Sequence, residues 1–305
     1  MSQFPLLDPQ LLTQLPPVAI KAMRVVEGAL TGLHQSPHQG QSIEFNQHKE
    51  YAPGDELRHM DWKLYAKSDR YYIKQFEDET NLRAYLLVDA SASMLYPEAP
   101  EDERDNKFTY ASVLALSMAY LLFRQRDAVG LMTFNHRLQT LMPPRNRPSY
   151  LIPMAQSLSQ QRPSGQTDFK VILQRLAEIA RRRSQIYIFS DFFEDVDDLR
   201  GPLQQLAHQG HDLVLFHLLD PDELGFPFRD RTLFEDLEVV DQHLQVDAHS
   251  IRPYYMEELR LYLDQMTRLS REAGIDYRRV DTSTPALNTL RDFLLHRHHA
   301  RRSRR

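Results

Sequence analysis

A chain of 305 residues with 42% hydrophobic side chains is long enough for one large α/β core and a smaller appendage. It contains no cysteine, which excludes a disulfide framework, thiolate metal sites and cysteine nucleophiles. A net charge of −5 gives no general case for nucleic-acid binding, and 18 prolines against 10 glycines carry no low-complexity character.

The first twenty residues hold Asp8, Pro5, Pro9, Pro16 and Pro17 without a basic start, so they do not read as a secretory leader. No stretch is apolar for long enough to span a bilayer, and a soluble, cytoplasmic protein is expected. Residues 11–33 carry apolar side chains at helical spacing (Ile20, Met23, Val26, Leu30), which predicts one or two helices. Residues 42–45, 61–64 and 71–76 are rich in aromatic and β-branched side chains and read as short strands. Between them, Ala52-Pro53-Gly54-Asp55 fits a type II turn, with glycine where φ is positive.

From Ala84 onward strand and helix alternate. Strands are expected at 84–88, 127–134 (with an edge partner at 137–141), 185–189, 212–218 and 276–280. Helices are expected at 108–125, 150–159, 170–182, 199–208, 254–273 and 285–296. An irregular stretch at 221–241 holds one further strand at 237–240. The alternation predicts an α/β fold with a doubly wound, mostly parallel sheet of Rossmann type. The expected organisation is an N-terminal unit of helices plus a β-rich subdomain (1–82), the α/β domain (83–296) and a basic flexible tail (297–305).

The chemistry concentrates at strand ends. The apolar run Ala84-Tyr85-Leu86-Leu87-Val88 is followed at once by Asp89-Ala90-Ser91-Ala92-Ser93. One carboxylate and two hydroxyls at alternate positions are oxygen donors of the kind a hard divalent cation requires. Ligands of open α/β sheets bind outside the carboxyl ends of the strands. Thr167 precedes the helical pattern Val171, Leu173, Leu176, Ile179, and Ser190-Asp191 follows the strand at 185–189. Each residue alone has a plainer reading. Asp89, Ser91 and Ser93 could bond their own turn, Thr167 could cap a helix, and Asp191 could be a solvated acid.

The D-x-S-x-S spacing resembles the metal-ion-dependent adhesion site of von Willebrand factor A-type domains. There, a threonine from a second loop and an aspartate after a later strand complete the site. The resemblance implies a metal set of Asp89, Ser91, Ser93, Thr167 and Asp191, binding Mg2+ first and Mn2+ or Ca2+ as alternatives. It also implies a non-enzymatic module in which a partner's carboxylate completes the coordination. The sequence departs from that fold's pattern after Asp191, where Phe192-Phe193 stands in place of a frequent glycine. That pair reads either as an apolar docking rim or as core.

A second resemblance covers the preceding stretch. Tyr51, Pro53, Gly54, Asp55, Arg58, Asp61 and Trp62 match a Y-x-P-G-D-x-x-R-x-x-D-W pattern, similar to that of the bacterial domain-of-unknown-function family fifty-eight. The resemblance implies a MoxR-type AAA+ ATPase as partner, with an adaptor or chaperone-like role toward a client protein. Arg58 between Asp55 and Asp61 suits an ion-pair network that fastens the subdomain, or a docking surface.

Two other functions compete. A Mg2+-dependent enzyme acting on phosphoryl or acyl substrates would use Asp168 or His136 as base. The chain has no Gly-rich phosphate loop, no G-x-S-x-G and no H-E-x-x-H, and Ser91 has no identifiable histidine partner. The basic end from His296 to Arg305 could contact nucleic acid, but it lacks interleaved aromatics and reads as a solvated tail.

Overall fold

The computed structural model describes residues 15–34, 48–50, 72–74, 82–98, 104–238 and 243–302. The chain divides into two units, His34–Asn81 and the remainder. In the smaller unit the described elements are β1 (His48–Glu50) and β2 (Tyr72–Lys74), an antiparallel pair with His48 opposite Lys74. The latter falls within the strand expected at 71–76. The strands expected at 42–45 and 61–64, the turn at 52–55, and the run Tyr51 to Trp62 lie outside the described residues.

The larger unit is built on a six-stranded sheet in the order β10-β7-β6-β3-β4-β5. Its members are β3 (Arg83–Asp89), β4 (Ala128–Phe134), β5 (Leu138–Arg145), β6 (Ser184–Ser190), β7 (Asp212–Leu219) and β10 (Asp276–Asp281). Neighbours run parallel except β5, which is antiparallel to β4 at the edge. The sheet is therefore doubly wound, as expected. Its order reverses between the adjacent strands β3 and β6, and that switch point is where open α/β sheets open a crevice.

Both faces of the sheet are covered, which explains why β3 is a continuous apolar run. Ala84, Leu86 and Val88 enter one core, and Tyr85 and Leu87 enter the other. The first core holds α2 (Lys107–Arg124) and α3 (Leu151–Gln160); the second holds α4 (Phe169–Ile179) and α5 (Val196–His208). Full burial of one Leu or Phe here contributes about 1.5–3 kcal/mol.

Sixteen of the eighteen residues of α2 are buried. The sequence predicts one wide apolar face, but further helices close over its outer side. One is α1 (Pro17–His34), whose Ala19, Ala22, Val26 and Ala29 join the same core. The Ser117 hydroxyl reaches the Ala22 carbonyl at 3.2 Å. The expected N-terminal unit of 1–82 is therefore divided: the boundary near residue 82 stays, but the small side chains of α1 let it pack into the α/β unit instead of belonging with the β-rich one.

The C-terminal end differs as well. After α7 (Ala248–Ala273), helix α8 (Ala286–Arg302) continues past the expected stop at 296. Arg297 lies over the rings of Phe293 and Tyr187 and pairs with Asp212, so the expected free tail begins as helix. Between β7 and α7 stands a short helix, α6 (Pro221–Gly225), and then an antiparallel hairpin of β8 (Arg231–Glu235) and β9 (His243–Asp247). No strand spans 237–238, where one was expected, because Glu235 and His243 are the last paired residues at that end of the hairpin. Among the described residues no helix is long and apolar enough to cross a membrane.

Candidate functional site

β3 ends at Asp89 and β6 ends at Ser190, so the fold brings both ends to the switch point. The Asp89 carboxyl is wholly buried and fully engaged. Its Oδ1 accepts from the Ser91 amide at 2.9 Å and from the Thr167 hydroxyl at 3.0 Å; its Oδ2 accepts from the Ser190 hydroxyl at 2.6 Å. The Ser190 oxygen in turn accepts from the Phe192 amide at 2.8 Å, which fixes the turn carrying Asp191.

Thr167 reaches the cluster because its loop is stitched to the one after β3. The Ser164 amide donates to the Ala90 carbonyl and the Ala92 amide to the Gly165 carbonyl, both at 2.9 Å. Gly165 makes this possible with φ of +70°, a region that side chains disfavour. Asp168, not Thr167, caps α4, by accepting from the Val171 amide at 2.9 Å. That leaves the Thr167 hydroxyl free to face Asp89.

All five expected metal-site residues therefore converge. The Ser91 and Ser93 hydroxyl oxygens stand 3.0 Å apart. Adjacent ligands of an octahedral Mg2+ with bonds of about 2.1 Å are separated by about 3 Å, so the pair has a fitting spacing. Ser93 lines the same cavity as Asp191 and Glu238. Among the described residues no three His, Asp or Glu side chains form a metal cluster, so any cation here depends on the hydroxyls.

Besides Ser190, three participants were not foreseen. Lys107, at the start of α2, is buried; its ammonium donates to Asp191 at 2.7 Å and to Glu223 at 2.6 Å. Glu223 belongs to a capping box with Asp220, a pattern visible as D-x-x-E in the sequence. For Lys107 the available signal was a lysine opening an otherwise apolar helix. Glu238, beyond the end of β8, gives no sequence signal, since only the hairpin carries it to the site.

The electrostatics follow from burial and crowding. Burial opposes the Lys107 charge, but Asp191 and Glu223 outweigh it and hold the ammonium above its usual range. Burial likewise disfavours charge on Asp191, yet Lys107 keeps its carboxyl below the ordinary value. Burial and the neighbouring Asp191 charge push Asp89 up to about 6 against its hydrogen bonds from Ser190 and Ser91. Burial, with the charges of Asp191, Asp89 and Asp236, pushes Glu238 up to about 7 although Ser93 opposes this. Asp191 and Glu223 flank Lys107, and the Asp89 and Glu238 carboxyls feel the charge of Asp191, a crowding of acids that a divalent cation would relieve. Burial lowers His217, beneath the site, to about 4, so it stays neutral against the Tyr277 hydroxyl at 2.7 Å.

The Phe192-Phe193 pair divides its roles. Phe192 is buried and stacks on Phe169 at 5.2 Å, with φ of +48°, the backbone region glycine favours. Phe193 is 80% exposed beside the site. It lines a cavity of about 550 Å³ together with Ser93, Lys107, Asp191, Leu237 and Glu238. Of the residues considered as bases, Asp168 is used as a cap and His136 is exposed on the turn after β4.

Comparison with known proteins places this geometry in context. The model of the family described as "Protein of unknown function DUF58" matches residues 47–262. An uncharacterised protein of Mycobacterium tuberculosis (strain ATCC 25618 / H37Rv) is 27% identical over 234 residues, which are 76% of this chain and 72% of that one. An uncharacterised protein of Mycobacterium bovis matches with the same figures. Among solved structures, BatB from Bacteroides thetaiotaomicron is similar with a TM-score of 0.44 at 12% identity, over 69% of this chain and 96% of that one. The SpRpn10 VWA domain is similar with a TM-score of 0.39 at 15% identity, over 68% and 93%.

Proposed function

Because the chain belongs to the DUF58 family of proteins of unknown function, whose match runs through every residue of this cluster, we propose that it is a protein-interaction module that docks a partner's carboxylate through a divalent cation. The hydroxyls of Ser91, Ser93 and Thr167 hold the cation, and Asp89 and Asp191 balance its charge. Mg2+ is the first choice, with Mn2+ or Ca2+ sharing the preference for oxygen. When bound, the cation supplies a coordination position that an incoming carboxylate fills. Lys107 keeps Asp191 ionised and in place, and Phe193 offers an apolar contact beside the charged centre. The partner is a MoxR-type AAA+ ATPase or a client protein, as the family resemblance implies.

The observation that carries this reading is the meeting of three hydroxyls and two carboxyls from three separate segments at the switch point of the sheet. The enzyme reading has less support. The Lys107 amine is held on Asp191 and Glu223 instead of facing Ser91, and neither Asp168 nor His136 is arranged as a base. The test is binding of the full chain to an immobilised MoxR-type ATPase with Mg2+ and with EDTA. Binding that requires the cation and is lost in Asp191→Ala supports the proposal. Equal binding in EDTA contradicts it.

A further inference from the structure

The cavity beside the site is lined by apolar side chains left in water. One is Phe193, on the turn after β6, which is 80% exposed. Others come from the β8–β9 hairpin, where Phe234 and Leu244 stand directly opposite in the antiparallel register and so share one face. Phe234 packs against the rings of Phe226 and Phe228, at 5.7 and 5.2 Å between centres. Its cross-strand partner Leu244 is left 59% exposed, and Leu237 adds a further aliphatic side chain to the same cavity. Exposed apolar side chains scattered singly need no account, but these gather around one hollow of about 550 Å³ that also reaches Ser93 and Asp191.

The charge of the lining says what fits among these side chains. Five carboxyl groups line the cavity, those of Asp191, Glu223, Glu235, Asp236 and Glu238, against the ammonium of Lys107. That ammonium is engaged by Asp191 and Glu223, at 2.7 and 2.6 Å. Among the described lining residues there is no second lysine or arginine, so the hairpin side of the cavity is acidic. A side chain with an apolar stem and a cationic head matches both features. A purely aliphatic occupant would desolvate the acids without compensation, and an acidic one would be repelled. Arginine fits better than lysine, since its guanidinium bonds carboxylates in pairs and stacks on an aromatic face such as that of Phe193.

We infer that this cavity receives an arginine side chain of the partner, its stem against Phe193 and Leu244 and its guanidinium on the carboxylates of Glu235, Asp236 and Glu238. The inference rests on the proposed docking function and extends it to the chemistry of the partner's segment: a carboxylate for the cation and, beside it, an arginine for the hairpin. The two contacts discriminate differently. The cation accepts any accessible carboxylate, whereas the cavity selects those segments that carry a guanidinium next to it.

Fluorescence anisotropy of two labelled peptides with the full chain tests this. Both have the sequence Gly-Asp-Leu-Xaa-Leu-Gly, with arginine at Xaa in one and citrulline, its uncharged isostere, in the other. In Mn2+ the arginine peptide is expected to bind the wild type at least tenfold more tightly than the citrulline peptide. That preference is expected to disappear in the triple variant Glu235→Gln, Asp236→Asn, Glu238→Gln, which keeps the side-chain shapes and the oxygen that accepts from the Glu238 amide. Phe193→Ala is expected to weaken the arginine peptide at least threefold with an unchanged unfolding midpoint. Equal binding of the two peptides to the wild type, a preference that persists in the triple variant, or no binding of the arginine peptide overturns the inference. The same pair is measured in EDTA. If neither affinity changes between Mn2+ and EDTA, the docking proposal fails, and the ratio of arginine to citrulline binding still decides this inference.

Discussion

The ammonium of Lys107 lies 2.7 Å from Asp191 Oδ2, and both side chains are at most 3% exposed. A buried pair of this kind costs desolvation that its Coulomb attraction only partly repays, so its presence adds little net stability. Its loss is another matter. Removing the cation leaves Asp191 and Glu223 charged and uncompensated in the core. Lys107→Met is expected to destabilise the protein by about 3–5 kcal/mol in urea unfolding. Lys107→Met combined with Asp191→Leu is expected to cost less than Lys107→Met alone, which a double-mutant cycle measures.

Phe192 holds a left-handed backbone while filling the core against Phe169. The backbone strain costs about 1–3 kcal/mol and the ring's burial offsets it. Phe192→Ala is expected to lose about 3–5 kcal/mol. Phe192→Gly is expected to be no worse than Phe192→Ala, reversing the usual preference for alanine over glycine, because glycine relieves φ. Phe193→Ser, at an exposed position, is expected to change stability by about 0.5 kcal/mol or less. Thermal or urea unfolding of the three variants decides this.

Thr167 and Asp168 are neighbours in sequence with separate tasks. Thr167→Ala is expected to weaken Mn2+ binding at least tenfold while Thr167→Ser retains it, since serine keeps the hydroxyl that meets Asp89. Asp168→Ala removes the cap of α4 and is expected to cost about 0.5–2 kcal/mol of stability without that loss of metal affinity. Calorimetry and unfolding of the same proteins separate the two.

His211 gives a pH dependence remote from the site. It is buried, and its Nδ1 accepts from the Ser184 amide at 3.2 Å, which requires the neutral ring. Burial holds its pKa below the ordinary 6.5, and the bond accepted from Ser184 favours the same neutral form, against the hydrogen bond at Ala180. The unfolded chain therefore binds a proton more readily than the folded one. The stability contribution is present above pH 6.5 and is lost as pH falls through the depressed folded value. Urea midpoints between pH 7.5 and pH 5 are expected to fall more steeply for the wild type than for His211→Gln.

Much of this was legible in the sequence because strand ends announce themselves. Asp89 and Asp191 each follow an apolar run, and a strand buried on both faces has no other reading. Ser190 was passed over although it ends β6, because its role depends on facing Asp89 across the switch point. Lys107 and Glu223 meet across 116 residues, a separation that no local pattern encodes. The position of α1 was misjudged for a related reason: its alanines favour a helix anywhere and show which partner they pack on only against α2. The long helix over 285–296 was placed correctly but stopped early, since basic residues read as solvent-exposed until Arg297 is seen against Phe293.

The central claim is that the hydroxyl-carboxyl cluster binds a divalent cation. The most direct measurement is titration calorimetry of Mg2+ and Mn2+ into the full chain and into Asp89→Asn, which keeps the side chain's shape and removes its charge. One-site binding to the wild type, weakened at least tenfold by the substitution, is the expected result. No binding of either cation to the wild type, or equal binding to both proteins, would contradict the account.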